Sequence, residues 1–170
     1  DKHAYHIPAF DHEDQATLSA ISEILSSGKS SRLYKELVVD NPMVNQVYAY
    51  NMENKDPSLF LFLASCNPNV KAEDVEAKLL EQINKLKTEL VTQKELDKLK
   101  INVKSDFIYS LESASSVGNL LGGYLVRGNL EPLMQYEDKI QNLKAEDLKK
   151  IANRYFDEDQ STTIILRKRR

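Results

Sequence analysis

Three histidines stand within the first twelve residues: His3, His6 and His12. Neutral imidazole is a common zinc ligand, so metal-assisted hydrolysis is the first chemistry to test. The spacing opposes it. His3 and His6 fall in "KHAYHIPAF", a strand by composition, and residues three apart on a strand point to opposite faces. A helical H-E-x-x-H or H-x-x-E-H places two histidines four apart, with a glutamate between them as general base. No pair of histidines has that spacing, and the three read as solvated or strand-surface side chains.

Other catalytic patterns are missing as well. There is no G-x-S-x-G elbow, no cysteine set in a catalytic motif and no G-x-x-x-x-G-K-[ST] phosphate loop. Cys66, the one cysteine, lies in the apolar run "LFLFLASC" and is expected as a buried core thiol. It fits a cytoplasmic or a periplasmic setting equally, and the compartment stays open. "GNLLGG" is expected to serve close helix packing. The acidic pairs Glu73-Asp74 and Glu146-Asp147 fall in first helical turns, where they favour the helix dipole. The terminal Arg167-Lys168-Arg169-Arg170 reads as a solvated end, or as part of a surface that meets a partner domain. With a net charge of −3 and a pI of about 5.7, the remainder is acidic, which argues against nucleic acid. The chain is 41% hydrophobic and 29% charged, as soluble globular domains are. No apolar run approaches the ~20 residues of a membrane span.

These residues need elements to position them. Residues 2–10 are expected as a strand ending near Pro8. Residues 11–28 are expected as a helix capped by Asp11 or Asp14, with Leu18, Ile21 and Leu25 on one face and Gly28 as its stop. "SSRLYKELVV" reads as a short helix capped by Ser30 or Ser31 and broken at Asn41-Pro42. "MVNQVYAYNM" is a strand alternating Val44, Gln46, Tyr48 and Tyr50 against Asn45, Val47 and Ala49. "NKDPS" turns the chain into "LFLFLASC", apolar on both faces and so central in an antiparallel sheet. Val75, Leu79, Ile83 and Leu86 then stripe a long helix. Thr92 and Glu95 form a capping box. It opens a second long helix whose Leu96, Leu99, Val103, Phe107 and Leu111 share a face, the two helices forming an antiparallel pair. Three further helices follow, the last with Leu148, Ile151, Ala152 and Tyr155 together, and residues 161–169 close as a strand. The order implies an α+β fold: an antiparallel sheet with helices packed on one face.

Taken together, three segments resemble the pitrilysin/insulinase zinc metallopeptidases, the M16 family. "IPAFDHEDQATLSAISEILSSGKSSRLYKEL" looks like the family's opening. "VTQKELDKLKINVKSDF" is similar to its "T..EL...K" helix start, and "YLVRGNLEPLMQYEDKIQNLKAEDLKKIANRYF" to its closing segment. The resemblance covers nearly the whole chain. It implies a LuxS/MPP-like metallohydrolase repeat domain over residues 1–170, a single domain that starts at Asp1 as one excised from a longer chain would. In this family, a domain bearing H-x-x-E-H and a distal glutamate binds zinc and activates water. A C-terminal-type domain of the same fold, without zinc, faces it across a chamber for extended peptide. Lacking H-x-x-E-H, this chain resembles the second kind. The resemblance implies no catalytic or metal-binding residue and no cofactor in this domain, and zinc in a partner domain of the same or another chain.

Many domains of the second kind carry an arginine and, seven residues later, a tyrosine that contact substrate. Here those positions fall on Val38 and Asn45, so the clamping pair is absent, although Asn45 still offers an amide. Arg32 and Leu33 match the family's structural "SRL". The implied function is a non-catalytic lobe of a zinc metalloendopeptidase. The alternatives are an inactive scaffold subunit, or a stand-alone module that binds peptide along a sheet edge.

Overall fold

A computed structural model describes residues 2–166. Its first strand, β1 (Lys2–Ile7), buries His3, Tyr5 and Ile7 while Lys2 and His6 face outward. It leads into α1 (Gln15–Ser26), on which Leu18, Ile21 and Leu25 are fully buried. Then come α2 (Arg32–Tyr34), a π-helical continuation over Lys35–Asp40, β2 (Val44–Asn51) and β3 (Ser58–Cys66). Five helices follow: α3 (Ala72–Thr88), α4 (Gln93–Ser110), α5 (Ala114–Arg127), α6 (Glu131–Gln141) and α7 (Ala145–Tyr155). A 3₁₀ turn at Glu158–Gln160 delivers β4 (Ser161–Ile164). Arg167 to Arg170, expected as a solvated end or partner surface, lie outside the described residues.

The four strands form an antiparallel sheet in the order β2-β3-β1-β4. β3 is internal, as an apolar run on both faces requires. One sheet face carries the helices. α1 is the hub, touching β2, α2, α4, α6 and α7, while α3 packs on α7 and β3. Between the layers, Phe156 at the end of α7 meets Tyr5, Phe60 and Phe62 with ring centroids 5.0, 5.0 and 5.8 Å away. Such tilted and edge-on aromatic packing adds to the area it buries.

Several expectations need correction. α3 and α4 are each packed on other helices (α3 on α7, α4 on α6 and α1) rather than forming a paired hairpin over the sheet. The apolar stripe of α4 is buried only through Leu96, Leu99 and Val103. Phe107 is half-buried and Leu111 is exposed, and both line a groove of about 450 Å³ with residues of α5 and α6. The glycines of α5 do not serve close packing. A Cβ added at Gly118, Gly122 or Gly123 would meet nothing within 4 Å, and no residue of α5 is buried. The helix is tethered at its end instead. Arg127 donates to the Glu53 carbonyl at 2.8 Å and stacks its guanidinium 4.6 Å from the Phe10 ring centroid and 4.3 Å from that of Tyr124. Cys66 is only partly buried, at the margin of the core. Tyr155 stands half-buried beside the buried Leu148, Ile151 and Ala152.

Asp14 occupies the N-cap of α1, but its side chain does not cap. Its Oδ2 accepts from the Arg154 guanidinium and the Tyr155 hydroxyl, each at 2.6 Å, and so ties α7 to the start of α1. Burial, then the bond to Asp14, push the Tyr155 hydroxyl up to about 12.

His3 is the other departure: it is buried, at 4% exposure, rather than on the strand surface. Thr163 Oγ1 donates to Glu76 Oε1 at 2.7 Å and stands 2.6 Å from His3 Nδ1. With its proton committed to Glu76, Thr163 accepts from His3. That fixes the Nδ1–H tautomer and leaves Nε2 buried without a partner among the described residues. Burial lowers the proton affinity of His3, while Glu76 and Glu158 pull the other way. Below about pH 6.5 the unfolded chain therefore binds more protons than the folded one. The stability contributed by neutral His3 is complete above about pH 6.5 and is lost as the pH falls toward the depressed folded value. Urea midpoints measured between pH 7.5 and 5 are expected to decline for the native chain and to flatten for His3→Gln. Equal slopes for the two chains would contradict this account.

Candidate functional site

The stretch from Ser30 to Tyr50 builds one wall of the sheet's β2 side. Ser31 sits at the N-cap of α2, yet its hydroxyl donates back to the Gly28 carbonyl at 2.7 Å rather than capping the helix. Gly28 has φ +76°, a left-handed conformation that suits glycine, and it lets the chain leave α1 for α2. Leu33 is fully buried. Arg32 forms a bidentate pair with Glu95, Nε to Oε1 at 2.6 Å and Nη2 to Oε2 at 2.9 Å. Glu95 also accepts from the backbone N–H and hydroxyl of Thr92, completing the capping box of α4. One carboxylate therefore starts α4 and holds α2 beside it. Burial alone would raise its proton affinity. The Arg32 guanidinium and the Thr92 donors outweigh burial and hold the carboxyl at about 2.

Beyond Tyr34 the helix loosens into π geometry. Asn41 N–H bonds the Glu36 carbonyl five residues back, the signature of a π-turn, which is often found near functional sites. The expected short helix is thus α-helical for one turn and π-helical to Asp40. Leu37 is fully buried, Val38 is half-buried against the core, and Val39 is exposed.

β2 begins with a bulge. Val44 pairs with Cys66 and Gln46 with Ser65, so Asn45 is the extra residue. A bulge bends the strand and re-aims a side chain. Here it exposes Asn45 and shifts the alternation. Val44 is buried on the helix face with Val47, Ala49 and Asn51, rather than sharing a face with Gln46, Tyr48 and Tyr50 as expected. Tyr48 and Tyr50 stand 50% and 56% exposed on the open face. They pair with Leu63 and Leu61 of β3, which pair with Lys2 and Ala4 of β1. The result is an apolar, aromatic wall beside the bulge. Sequence reasoning singled out Val38 and Asn45 and gave no role to Tyr48 and Tyr50. The available signal was a strand without charges whose outward residues are aromatic.

The three histidines do not converge on one metal position. His3 is on the helix face bonded to Thr163, His6 is on the open face, and His12 precedes α1. Among the described residues no group of three or more His, Cys, Asp or Glu is placed to hold a metal ion. Nor is any described helix long and apolar enough to cross a membrane.

Comparison with known proteins places this geometry. Residues 3–103 match the family described as the Peptidase M16 inactive domain. The chain is 47% identical over 163 residues to the zinc protease PqqE of Helicobacter pylori, covering 96% of this chain and 37% of that protein. The crystal structure of a protease from Helicobacter pylori superposes with a TM-score of 0.91 at 45% identity, over 94% of this chain and 39% of the other. An inactive peptidase domain from Bordetella parapertussis has the same fold, with a TM-score of 0.84 at 23% identity over 95% of this chain and 87% of its own. The chain thus spans well under half the length of the Helicobacter proteins it matches. By fold and by matched sequence, it belongs to the M16 peptidase family as an inactive-type domain.

Proposed function

We propose that this chain is the non-catalytic lobe of a zinc metalloendopeptidase, completing a peptide chamber opposite a zinc-bearing M16 domain of the same or a partner chain. The observation that carries the reading is the family match combined with the scattered histidines, which among the described residues join no cluster placed to hold a metal ion. The relative named a zinc protease is more than twice as long, leaving room for a second domain. In this reading zinc belongs to that other domain, and the sheet wall near Val38, Asn45 and Tyr48 faces extended peptide. Asn45 offers an amide donor and acceptor where related domains carry tyrosine. Arg32 and Leu33 act structurally, the first through Glu95 and the second through burial.

The test is reconstitution. The chain alone is expected to retain no zinc after dialysis and to leave a quenched fluorescent peptide intact. Mixed with, or fused to, a zinc-bearing M16 domain, it is expected to raise cleavage by that domain at least tenfold, and a chelator should abolish the gain. Zinc-dependent cleavage by the chain alone would overturn the proposal.

A second reading is a scaffold subunit without peptidase activity. It is favoured by Val38 and Asn45 standing where the clamping arginine and tyrosine are absent. Under it, no zinc-bearing domain gains activity from this chain, although the two associate.

A further inference from the structure

The large majority of buried side-chain polar groups find a hydrogen-bond partner, and one that does not asks for one. Gln82 on α3 is 4% exposed, and its amide makes no hydrogen bond among the described residues. It lines a groove of about 230 Å³ between α3 and the π-helical segment Lys35–Asp40. One wall carries Arg32, Lys35, Glu36 and Asp40, and the other carries Gln82, Lys85 and Glu89. Each wall is a single helix face by spacing. Some of these groups are already engaged. Arg32 is held by Glu95. Glu36 accepts from Asn41 Nδ2 at 3.0 Å and faces Lys78 at 3.6 Å. Lys85 pairs with Glu81 at 3.0 Å. Lys35, Asp40, Gln82 and Glu89 have no side-chain partner among the described residues, and Lys35 and Asp40 are exposed. The lining acids are not placed, among the described residues, to share a metal ion. A wall carrying both signs of charge also suits a bare anion poorly.

We infer that this groove binds a small zwitterion of dipeptide length, with its carboxylate toward Lys35 and Lys85, its ammonium toward Asp40 and its central amide on Gln82. Lys35 and Asp40 begin and end the π-helical segment. One turn of i to i+5 bonding sets them on the same face, about 7 Å apart along the axis. An extended dipeptide spans about 7 Å, whereas a single amino acid spans only about 3.5 Å. Gln82 offers two N–H donors and a carbonyl acceptor, the complement of a peptide unit. Exposed charges attract weakly through water. A hydrogen bond to a largely desolvated amide discriminates more strongly, because a ligand without the matching group leaves that amide unpaired. The charges therefore select length and Gln82 selects chemistry. The site is independent of the lobe reading and of the wall formed by Tyr48 and Tyr50.

The probe is glycylglycine, titrated into the chain while NMR follows the Gln82 side-chain amide and the Lys35 backbone amide. Saturable shifts are expected in the millimolar range. Acetylglycylglycine lacks the ammonium and glycylglycinamide lacks the carboxylate. The isostere 5-aminopentanoate keeps both charges at the same spacing without the amide, and glycine is too short. Each is expected to bind at least threefold more weakly. Asp40→Asn and Lys35→Met, both at exposed positions, are expected to weaken glycylglycine at least threefold. Glu89→Gln, at the end of α3, should change it less than twofold. Gln82→Leu is expected to remove the preference for glycylglycine over 5-aminopentanoate. Three results would each overturn the inference: no saturable shift at either amide, equal binding of glycylglycine and its capped forms, or full affinity in both Asp40→Asn and Lys35→Met. None of them touches the lobe reading, which stands or falls on the gain in zinc-dependent cleavage.

Discussion

Phe156→Ala is expected to lower the unfolding free energy by about 3–5 kcal/mol. Phe156 is fully buried, and its ring touches three aromatic rings from two strands. It sits at the junction where α7 ends and the chain turns toward β4. Truncation removes the transfer free energy of the ring and leaves a cavity between rigid rings that cannot collapse into it. For a domain whose whole stability lies in the ordinary range of about 5–15 kcal/mol, that is a large share. Urea unfolding read by tyrosine fluorescence measures it. Phe156→Leu should recover more than half of the loss. Val126→Ala, at a position 85% exposed on α5, should change stability by less than about 0.5 kcal/mol. A Phe156→Ala midpoint shift no larger than that of Val126→Ala would mean that α7 does not close the core.

Glu95→Ala is the second large effect, about 3 kcal/mol at neutral pH. With its side chain 27% exposed and that of Arg32 17% exposed, the pair is not an ordinary surface ion pair. A carboxyl moved from 4.5 to about 2 by folding is stabilised by about 3 kcal/mol in its ionised form. The sign follows from the direction of the shift. The unfolded chain takes up the proton first as the pH falls, so the contribution is complete above about pH 4.5 and is lost as the pH falls to about 2. The substitution also removes half of a capping box, which starts α4. Glu95→Gln keeps an N3 side chain able to reach the Thr92 amide and should lose less than Glu95→Ala. Arg32→Ala should lose about 1–2 kcal/mol, and a double-mutant cycle should show a coupling of at least 1 kcal/mol. Stability of Glu95→Ala that falls as steeply as the native chain's between pH 5 and 3 would show that other carboxylates carry the acid sensitivity.

The capping box illustrates what was readable beforehand. Thr92 and Glu95 are three residues apart and local geometry decides their bond, so spacing alone suffices. The same holds for the Asn41-Pro42 break, the central character of β3 and the α+β order of elements, each set by patterns within one segment. What sequence missed depends on partners far along the chain. His3 is buried because Thr163 and Glu76 receive it, and neither is visible from "KHAYHI". Asp14 has the residue type and position of a cap, but Arg154 and Tyr155 claim its carboxylate. The glycines of α5 look like a packing seam, and the fold puts no neighbour against them. Val44 was placed on the wrong face because a bulge is one residue of slippage, which alternation cannot reveal. The candidate site divides in the same way. Val38 and Asn45 came from a resemblance, whereas the aromatic wall of Tyr48 and Tyr50 emerged only once β2 was seen to be an edge.

The hydrogen bond between His3 and Thr163 joins positions 160 residues apart, and β4 pairs with β1 alone. Closing a flexible loop of that length costs about 4–5 kcal/mol beyond the constant term. The cost falls once α7 has docked on α1 and α3, because the effective loop is then short. Sheet completion is therefore a late event in folding, gated by helix docking. During synthesis the β1 edge stands open until residues 161–164 have emerged. For that interval β1, an inner strand of the finished sheet, is an edge opposite β2, and it is protected only by the speed with which α7 brings β4 home.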